Sequence, residues 1–96
     1  MKRKEREIKL RLDKFLKVSR LIKRRTLAKS VADQGRIKIN GLVAKASSIV
    51  AKGDEIEIRF GQNLVTVKVT DVKEIVRKNE AELLYTIIKE EKINND

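Results

Sequence analysis

The sequence predicts an α+β fold, with two N-terminal helices packed on a small, mostly antiparallel sheet and a short C-terminal extension. Two observations carry this prediction. Before Gly35 the apolar residues recur at spacings of three and four, and after it they alternate with polar residues. These are the periods of an amphipathic helix and of a half-buried strand. Turn-forming pairs such as Asn40-Gly41 then divide the second half into strand-length segments.

The first predicted helix begins at Leu12. Leu12, Phe15, Leu16 and Ser19 follow the i, i+3, i+4, i+7 pattern of a helix with one buried face. Residues 1–10 are charged and lack a sustained apolar face, so we expect a flexible basic extension there.

A second helix is predicted over residues 26–34, after an apolar linker at Leu21 and Ile22. Thr26 is a candidate N-cap. Gly35 follows the helix at the position where a positive φ is usually required. The predicted buried stripe of this helix consists of Leu27, Ala28, Val31 and Ala32.

The strands are predicted after Gly35. Ile37 and Ile39 alternate with cations and lead into the tight turn at Asn40-Gly41. Leu42 and Val43 lead into residues 44–54, which are expected to be irregular or weakly extended and to end in a turn at Gly53-Asp54. The remaining predictions are strands at 56–60 and 64–70, an extension of the second strand over 71–76, a short helix at 79–84 opened by a capping box, and a strand at 85–89.

The predicted organisation is one small domain over residues 11–70, between the basic extension 1–10 and a C-terminal extension 71–96 whose end is disordered.

The composition gives this chain no usual catalytic or metal-binding groups. Cysteine and histidine are absent, and the four glycines stand singly at turns. Ser47 and Ser48 near Lys45 are interpreted as loop or phosphate-bonding serines. We therefore expect a protein that is not an enzyme and has no cofactor or metal. No apolar run has the length of a membrane span, so a cytoplasmic location is expected.

The positive charge is concentrated in the first two-fifths of the chain. Residues 1–38 contain 15 Lys and Arg against 4 Asp and Glu, whereas residues 39–96 contain 9 against 10. This asymmetry predicts a polyanion-binding face. The three aromatic residues are Phe15, Phe60 and Tyr85, and both phenylalanines stand in apolar registers. They offer no platform for stacking successive bases, so the expected partner is folded, double-helical RNA.

The segment Arg11 to Ile58 resembles the RNA-binding domain of ribosomal protein S-four, also called the alpha-L RNA-binding motif. The shared elements are the R-L-D opening at Arg11, a second helix starting with Arg and small residues, the "GRIKING" segment, and the Gly53-Asp54 pair before a strand. More narrowly, "RLDKFLKVSRLIKRRTLAK", "KASS" and "IRFGQNLVTV" resemble the RqcP family of small stand-alone bacterial proteins of ribosome-associated quality control.

The resemblance implies a factor that binds the obstructed large ribosomal subunit at 23S rRNA and peptidyl-tRNA and supports C-terminal alanine tailing of stalled chains. The implied partners are the large subunit, tRNA and a nascent-chain tailing factor, with a monomer expected off the ribosome and no membrane partner. The alternatives are a ribosome-associated heat-shock or assembly protein and, from another class, a basic membrane-surface or protein-interaction module.

The predicted RNA-binding residues are the cations of this basic face. The resemblance assigns Arg11 to the start of the first helix and Arg25 to the start of the second. It leaves Asp13 to orient one of these arginines or to favour the first turn of its helix. The full set is Arg11, Lys14, Lys17, Arg20, Lys23, Arg24, Arg25 and Lys29, with Arg36, Lys38 and Lys45 at its margin.

Overall fold

Two short helices form one layer of the fold. The structure, a computed structural model, describes residues 9–74 and 76–92, without the side chains of Arg25 and Lys78. Helix α1 spans Leu12–Val18 and helix α2 spans Arg25–Asp33. The predicted flexibility of residues 1–8 and disorder of residues 94–96 lie outside the described residues.

The second layer is a five-stranded antiparallel sheet, accompanied by a separate two-stranded ribbon. The α+β class and the antiparallel sheet predicted from the sequence are therefore confirmed. The five-stranded sheet has the order β3-β2-β5-β6-β7, and the ribbon pairs β1 with β4. The strands are β1 (Leu10–Arg11), β2 (Ile37–Ile39), β3 (Leu42–Val43), β4 (Ile49–Val50), β5 (Glu55–Phe60), β6 (Asn63–Val69) and β7 (Tyr85–Lys92).

The buried face of α1 matches the prediction. Leu12, Phe15 and Leu16 are fully buried, and the Ser19 hydroxyl donates a hydrogen bond to the Leu16 carbonyl at 3.3 Å. The inner face of the sheet supplies the other half of the same core, chiefly from β2, β5 and β6. Because the helices cover only this inner face, the polar sides of α1 and α2 are left on the surface of the molecule.

Helix α2 buries a narrower stripe than predicted. Ala28 and Ala32 are buried and Val31 is half-buried, but Leu27 is 52% exposed, so its assignment to the core was wrong. The buried alanines stand four residues apart on one face, and Leu27 lies about 100° away from Ala28 around the helix axis. The N-cap prediction was also wrong, because α2 begins one residue earlier and Arg24 occupies the N-cap position.

The end of α2 follows the prediction for Gly35. Its φ is 76°, its N–H donates to the Ala32 carbonyl at 2.9 Å, and the Arg36 N–H donates to the Val31 carbonyl at 3.3 Å. This pair of bonds is a Schellman motif, which requires a left-handed residue after the helix. The motif turns the chain directly into β2.

The turn between β2 and β3 is also as predicted. Asn40 and Gly41 have φ values of 53° and 88°, the positive pair of a type I′ hairpin turn. The Asn40 amide nitrogen donates to Asp54 at 3.1 Å, and its amide oxygen accepts from the Glu55 N–H at 3.0 Å. Asn40 therefore joins this hairpin to the start of β5.

Leu10 belongs to the folded domain rather than to a flexible extension. It is 5% exposed and pairs with Val50 across the β1–β4 ribbon. Sequence periodicity missed this pairing because each strand of the ribbon has only two residues. Strand β4 of this ribbon lies within residues 44–54, which were predicted to be irregular or weakly extended.

The C-terminal segment differs in three respects from the prediction. Residues 71–74 and 76–77 do not extend β6. Residues Lys78–Leu84 form a 3-10 helix whose N-cap is Arg77, whereas the predicted capping box opens with Asn79. The three-residue period of this helix places Ala81 and Leu84 on one side, and both are buried. Strand β7 then pairs with β6 along residues 85–92, beyond the predicted end at residue 89.

Candidate nucleic-acid interface

Arg11 is held in place at the start of α1 by Asp13. Its Nε and Nη2 atoms lie 3.3 and 3.2 Å from the two carboxylate oxygens of Asp13. The Arg11 side chain is 48% exposed, whereas that of Asp13 is 4% exposed. A guanidinium has five N–H donors, so those not bonded to Asp13 can still meet an anion from solvent. Asp13 also stands in the first turn of α1, where a carboxylate interacts favourably with the positive end of the helix dipole.

Carbonyl groups of the loop before β4 accept hydrogen bonds from the backbone N–H groups at the start of α1. The Leu12 N–H donates to the Ser48 carbonyl at 2.7 Å, and the Asp13 N–H donates to the Ala46 carbonyl at 3.2 Å. The Ser48 hydroxyl accepts from the Lys45 N–H at 2.8 Å, as a loop serine does. These bonds bring exposed Lys45 to the same end of α1 as Arg11.

The opposite end of α1 presents a second cation in an uncommon backbone conformation. Arg20 has a φ of 65°, and its N–H donates to the Lys17 carbonyl at 3.0 Å. Position C′ after a helix is normally occupied by glycine in this left-handed conformation. An arginine there fixes where its side chain leaves the backbone, at some cost in stability.

Substituting Arg20 by glycine separates the contribution of this residue to stability from its contribution to RNA binding. We expect Arg20→Gly to leave stability unchanged or to raise it by about 0.5–1 kcal/mol, because glycine adopts this φ without strain. We expect the same change to weaken RNA binding severalfold through the loss of one cation. Thermal unfolding and fluorescence anisotropy with labelled tRNA measure the two effects. A loss of stability with unchanged affinity would show that Arg20 is structural only.

A groove lies beside Arg20. Its volume is about 350 Å³, and the described residues that line it are three cations, one carboxylate and two valines. The carboxylate and one of the valines come from the irregular segment that follows β6. The lining residues are Lys17, Val18, Arg20, Lys23, Glu74 and Val76.

The start of α2 is open, in contrast to that of α1. No side-chain cap bond is made by Arg24, and no acidic residue stands in the first turn of the helix as the structure describes it. Arg24 and Lys29 are exposed. The backbone of Arg25 opens the helix, while its side chain lies outside the described atoms. The resulting concentration of cations and free N–H groups is the geometry that binds phosphate at a helix N-terminus.

The remaining predicted cations are less closely associated with the helix ends. Lys14 is half-buried on α1, and Arg36 is exposed just before β2. Lys38 lies opposite Glu57 in the β2–β5 pairing, between the inward-facing residues Ile37 and Ile39. Because strand side chains alternate, Lys38 is on the outer face of the sheet, away from the helices. The structure therefore does not bring Lys38 together with the helix-end cations.

Other chemistry is sparse in the part of the chain that the structure describes. Within residues 9–74 and 76–92, no group of three or more acidic side chains is placed to hold a metal ion. None of the helices described has the length and apolar character needed to cross a membrane. Burial and, to a smaller extent, the Glu82 carboxylate raise the pKa of Tyr85 above 10.0, so its phenol stays neutral at physiological pH.

Comparison with known proteins shows the family of this chain. The S4 domain family model matches residues 10–56. The chain is 69% identical over 84 residues to the RQC P-site tRNA stabilizing factor of Bacillus subtilis, covering 88% of this chain and 98% of that protein. It is 68% identical over 85 residues to the factor of the same name from Halalkalibacterium halodurans, covering 88% and 97%.

A solved structure extends the similarity to three dimensions. The structure of Vibrio cholerae heat shock protein 15, described as trimeric, has a TM-score of 0.77 and 33% identity over 83% of this chain and 82% of its own. The two factors named above match at about twice that identity over nearly their whole length. The chain therefore belongs to the S4-domain proteins, within the RqcP family of RQC P-site tRNA stabilizing factors.

Proposed function

We propose that this protein is a cytoplasmic RNA-binding factor that binds the obstructed large ribosomal subunit at 23S rRNA and peptidyl-tRNA. In that complex it supports C-terminal alanine tailing of the stalled chain by a tailing factor. The observation that carries the proposal is the open, cationic start of α2, in a chain 69% identical to a P-site tRNA stabilizing factor. We further propose that the protein is a monomer off the ribosome.

The mechanism is phosphate recognition at both ends of α1 and at the start of α2. At α2, the free N–H groups hold one phosphate together with the Arg25 guanidinium, and the bound anion relieves the repulsion between cations and helix dipole. At the start of α1, Arg11 presents its remaining donors to a second phosphate while Asp13 fixes the plane of the guanidinium. The fixed spacing of these three helix ends then selects an RNA shape rather than a base sequence.

Affinity purification tests this proposal. The tagged protein, isolated from its own cells, should bring down large subunits that carry tRNA, with small subunits depleted. Recovery of tRNA-free subunits in proportion to their abundance would instead favour an assembly factor or a heat-shock protein. That second candidate is supported by the structural similarity to heat shock protein 15, with a TM-score of 0.77. Binding to anionic vesicles without binding to RNA would favour the membrane-surface alternative.

A further inference from the structure

The groove at the C-terminal end of α1 has a lining that phosphate binding alone does not explain. Lys17, Arg20 and Lys23 line it, and each can meet a phosphate oxygen. Glu74 lines the same groove, and its ionised carboxylate repels a phosphate. None of the ion pairs among the described residues involves Glu74, so it does not orient these cations as Asp13 orients Arg11.

Glu74 can accept hydrogen bonds from a nucleotide even though it repels phosphate. An ionised carboxylate is an acceptor with two oxygens, so it pairs best with two adjacent donors. Among the four RNA bases, guanine presents such a pair, N1–H and N2–H, on its Watson–Crick edge. Val18 and Val76 add apolar surface to the same groove, against which a base can pack.

The size of the groove suits one nucleotide. Its volume of about 350 Å³ lies near the lower end of the range of small-molecule sites. Sequence-specific readers of RNA commonly take unstacked bases from loops and bulges and bind their Watson–Crick edges. A single unstacked nucleotide within folded RNA is also compatible with the lack of an aromatic platform for successive bases.

We propose that this groove binds one unstacked guanosine nucleotide of a structured RNA. Lys17, Arg20 and Lys23 hold its phosphate, and Glu74 accepts the N1–H and N2–H hydrogen bonds of the guanine. This proposal rests on the proposed RNA-binding function and adds base selectivity to it. The left-handed backbone at Arg20 supports the proposal, because a cation stands there although glycine would adopt the same φ without strain.

The test uses four labelled RNA hairpins that differ only in one bulged nucleotide, G, A, C or U, with an unbulged hairpin as reference. Fluorescence anisotropy with the full chain should give about tenfold tighter binding to the G bulge than to the other three, as expected for a bidentate base contact. In Glu74→Gln the preference for G should fall to about twofold or less, with little change for the other bulges.

A matched control separates base reading from overall charge. Glu55→Gln removes the same charge from an exposed position on β5 and should leave the preference for G intact. Equal strengthening of all four complexes by Glu74→Gln would overturn the guanine proposal, because it would show that Glu74 only repels the backbone. In that case the proposed RNA-binding function would stand, since every hairpin still binds. Failure of the wild-type protein to bind any hairpin or tRNA would overturn both.

Discussion

Raising the salt concentration from 50 to 200 mM should weaken binding to the obstructed large subunit by about a hundredfold or more. The reason is the number of cations grouped at the helix ends. If roughly five of them neutralise phosphates, the slope of log affinity against log salt should be about −3.5 to −4.5. Pelleting of labelled protein with large subunits across a salt series measures this slope directly.

The salt series also has an internal check. Removing one phosphate-binding cation, as in Lys23→Ala, should make the slope shallower by about 0.7–0.9. Lys73→Ala is the matched control, because Lys73 is an exposed cation outside the predicted set and should leave the slope unchanged. A wild-type slope near zero would contradict an interface built on phosphate contacts.

Arg25→Ala should reduce affinity for the obstructed subunit by about tenfold or more, while Lys73→Ala changes it by less than about twofold. Arg25 opens α2, where backbone donors and a guanidinium can bind one phosphate together. Arg25→Lys should fall between wild type and alanine, because lysine keeps the charge and loses the paired N–H donors.

The effect on folding should have the opposite sign. Alanine is a good helix former, and removing a cation from the positive end of α2 stabilises the helix by about 0.3–1 kcal/mol. We therefore expect Arg25→Ala to have an unfolding midpoint equal to or slightly above that of wild type. Equal losses of affinity for Arg25→Ala and Lys73→Ala would reject the start of α2 as the binding face.

Local patterns in the sequence were sufficient to predict much of this fold. The helical spacing of Leu12, Phe15 and Leu16 specified α1, and Gly35 specified the end of α2. Asn40-Gly41 specified the first hairpin, since few other pairs adopt two successive positive φ values without strain. In each case the physical cause lies within a few neighbouring residues.

Features that depend on distant partners were not predictable in this way. Leu10 is buried because Val50 pairs with it from forty residues away. The start of α1 is closed by carbonyl groups of Ala46 and Ser48, which no helix-capping pattern near Leu12 indicates. Leu27 is exposed because α2 buries the face of Ala28 and Ala32, and Leu27 lies about 100° from Ala28 around the helix axis.

The same distinction applies to the candidate site. The charge asymmetry of the sequence predicts a binding role for the cations of α1 and α2, and the resemblance at the R-L-D opening adds Arg11 and Asp13 to that prediction. Glu74 carries no sequence signal, because it lies in an irregular segment and reaches the groove only through the tertiary fold. Lys38 had the right charge for the set, but the alternation of β2 turns it away from the helix ends.

The preference for the obstructed large subunit is tested most directly by comparing two large-subunit preparations at one salt concentration. One preparation carries peptidyl-tRNA and the other is empty, and the dissociation constant of labelled protein is measured for both. We expect at least about tenfold tighter binding to the obstructed subunit, because only that subunit offers both tRNA and rRNA phosphates to the helix ends. Equal dissociation constants for the two preparations would contradict it.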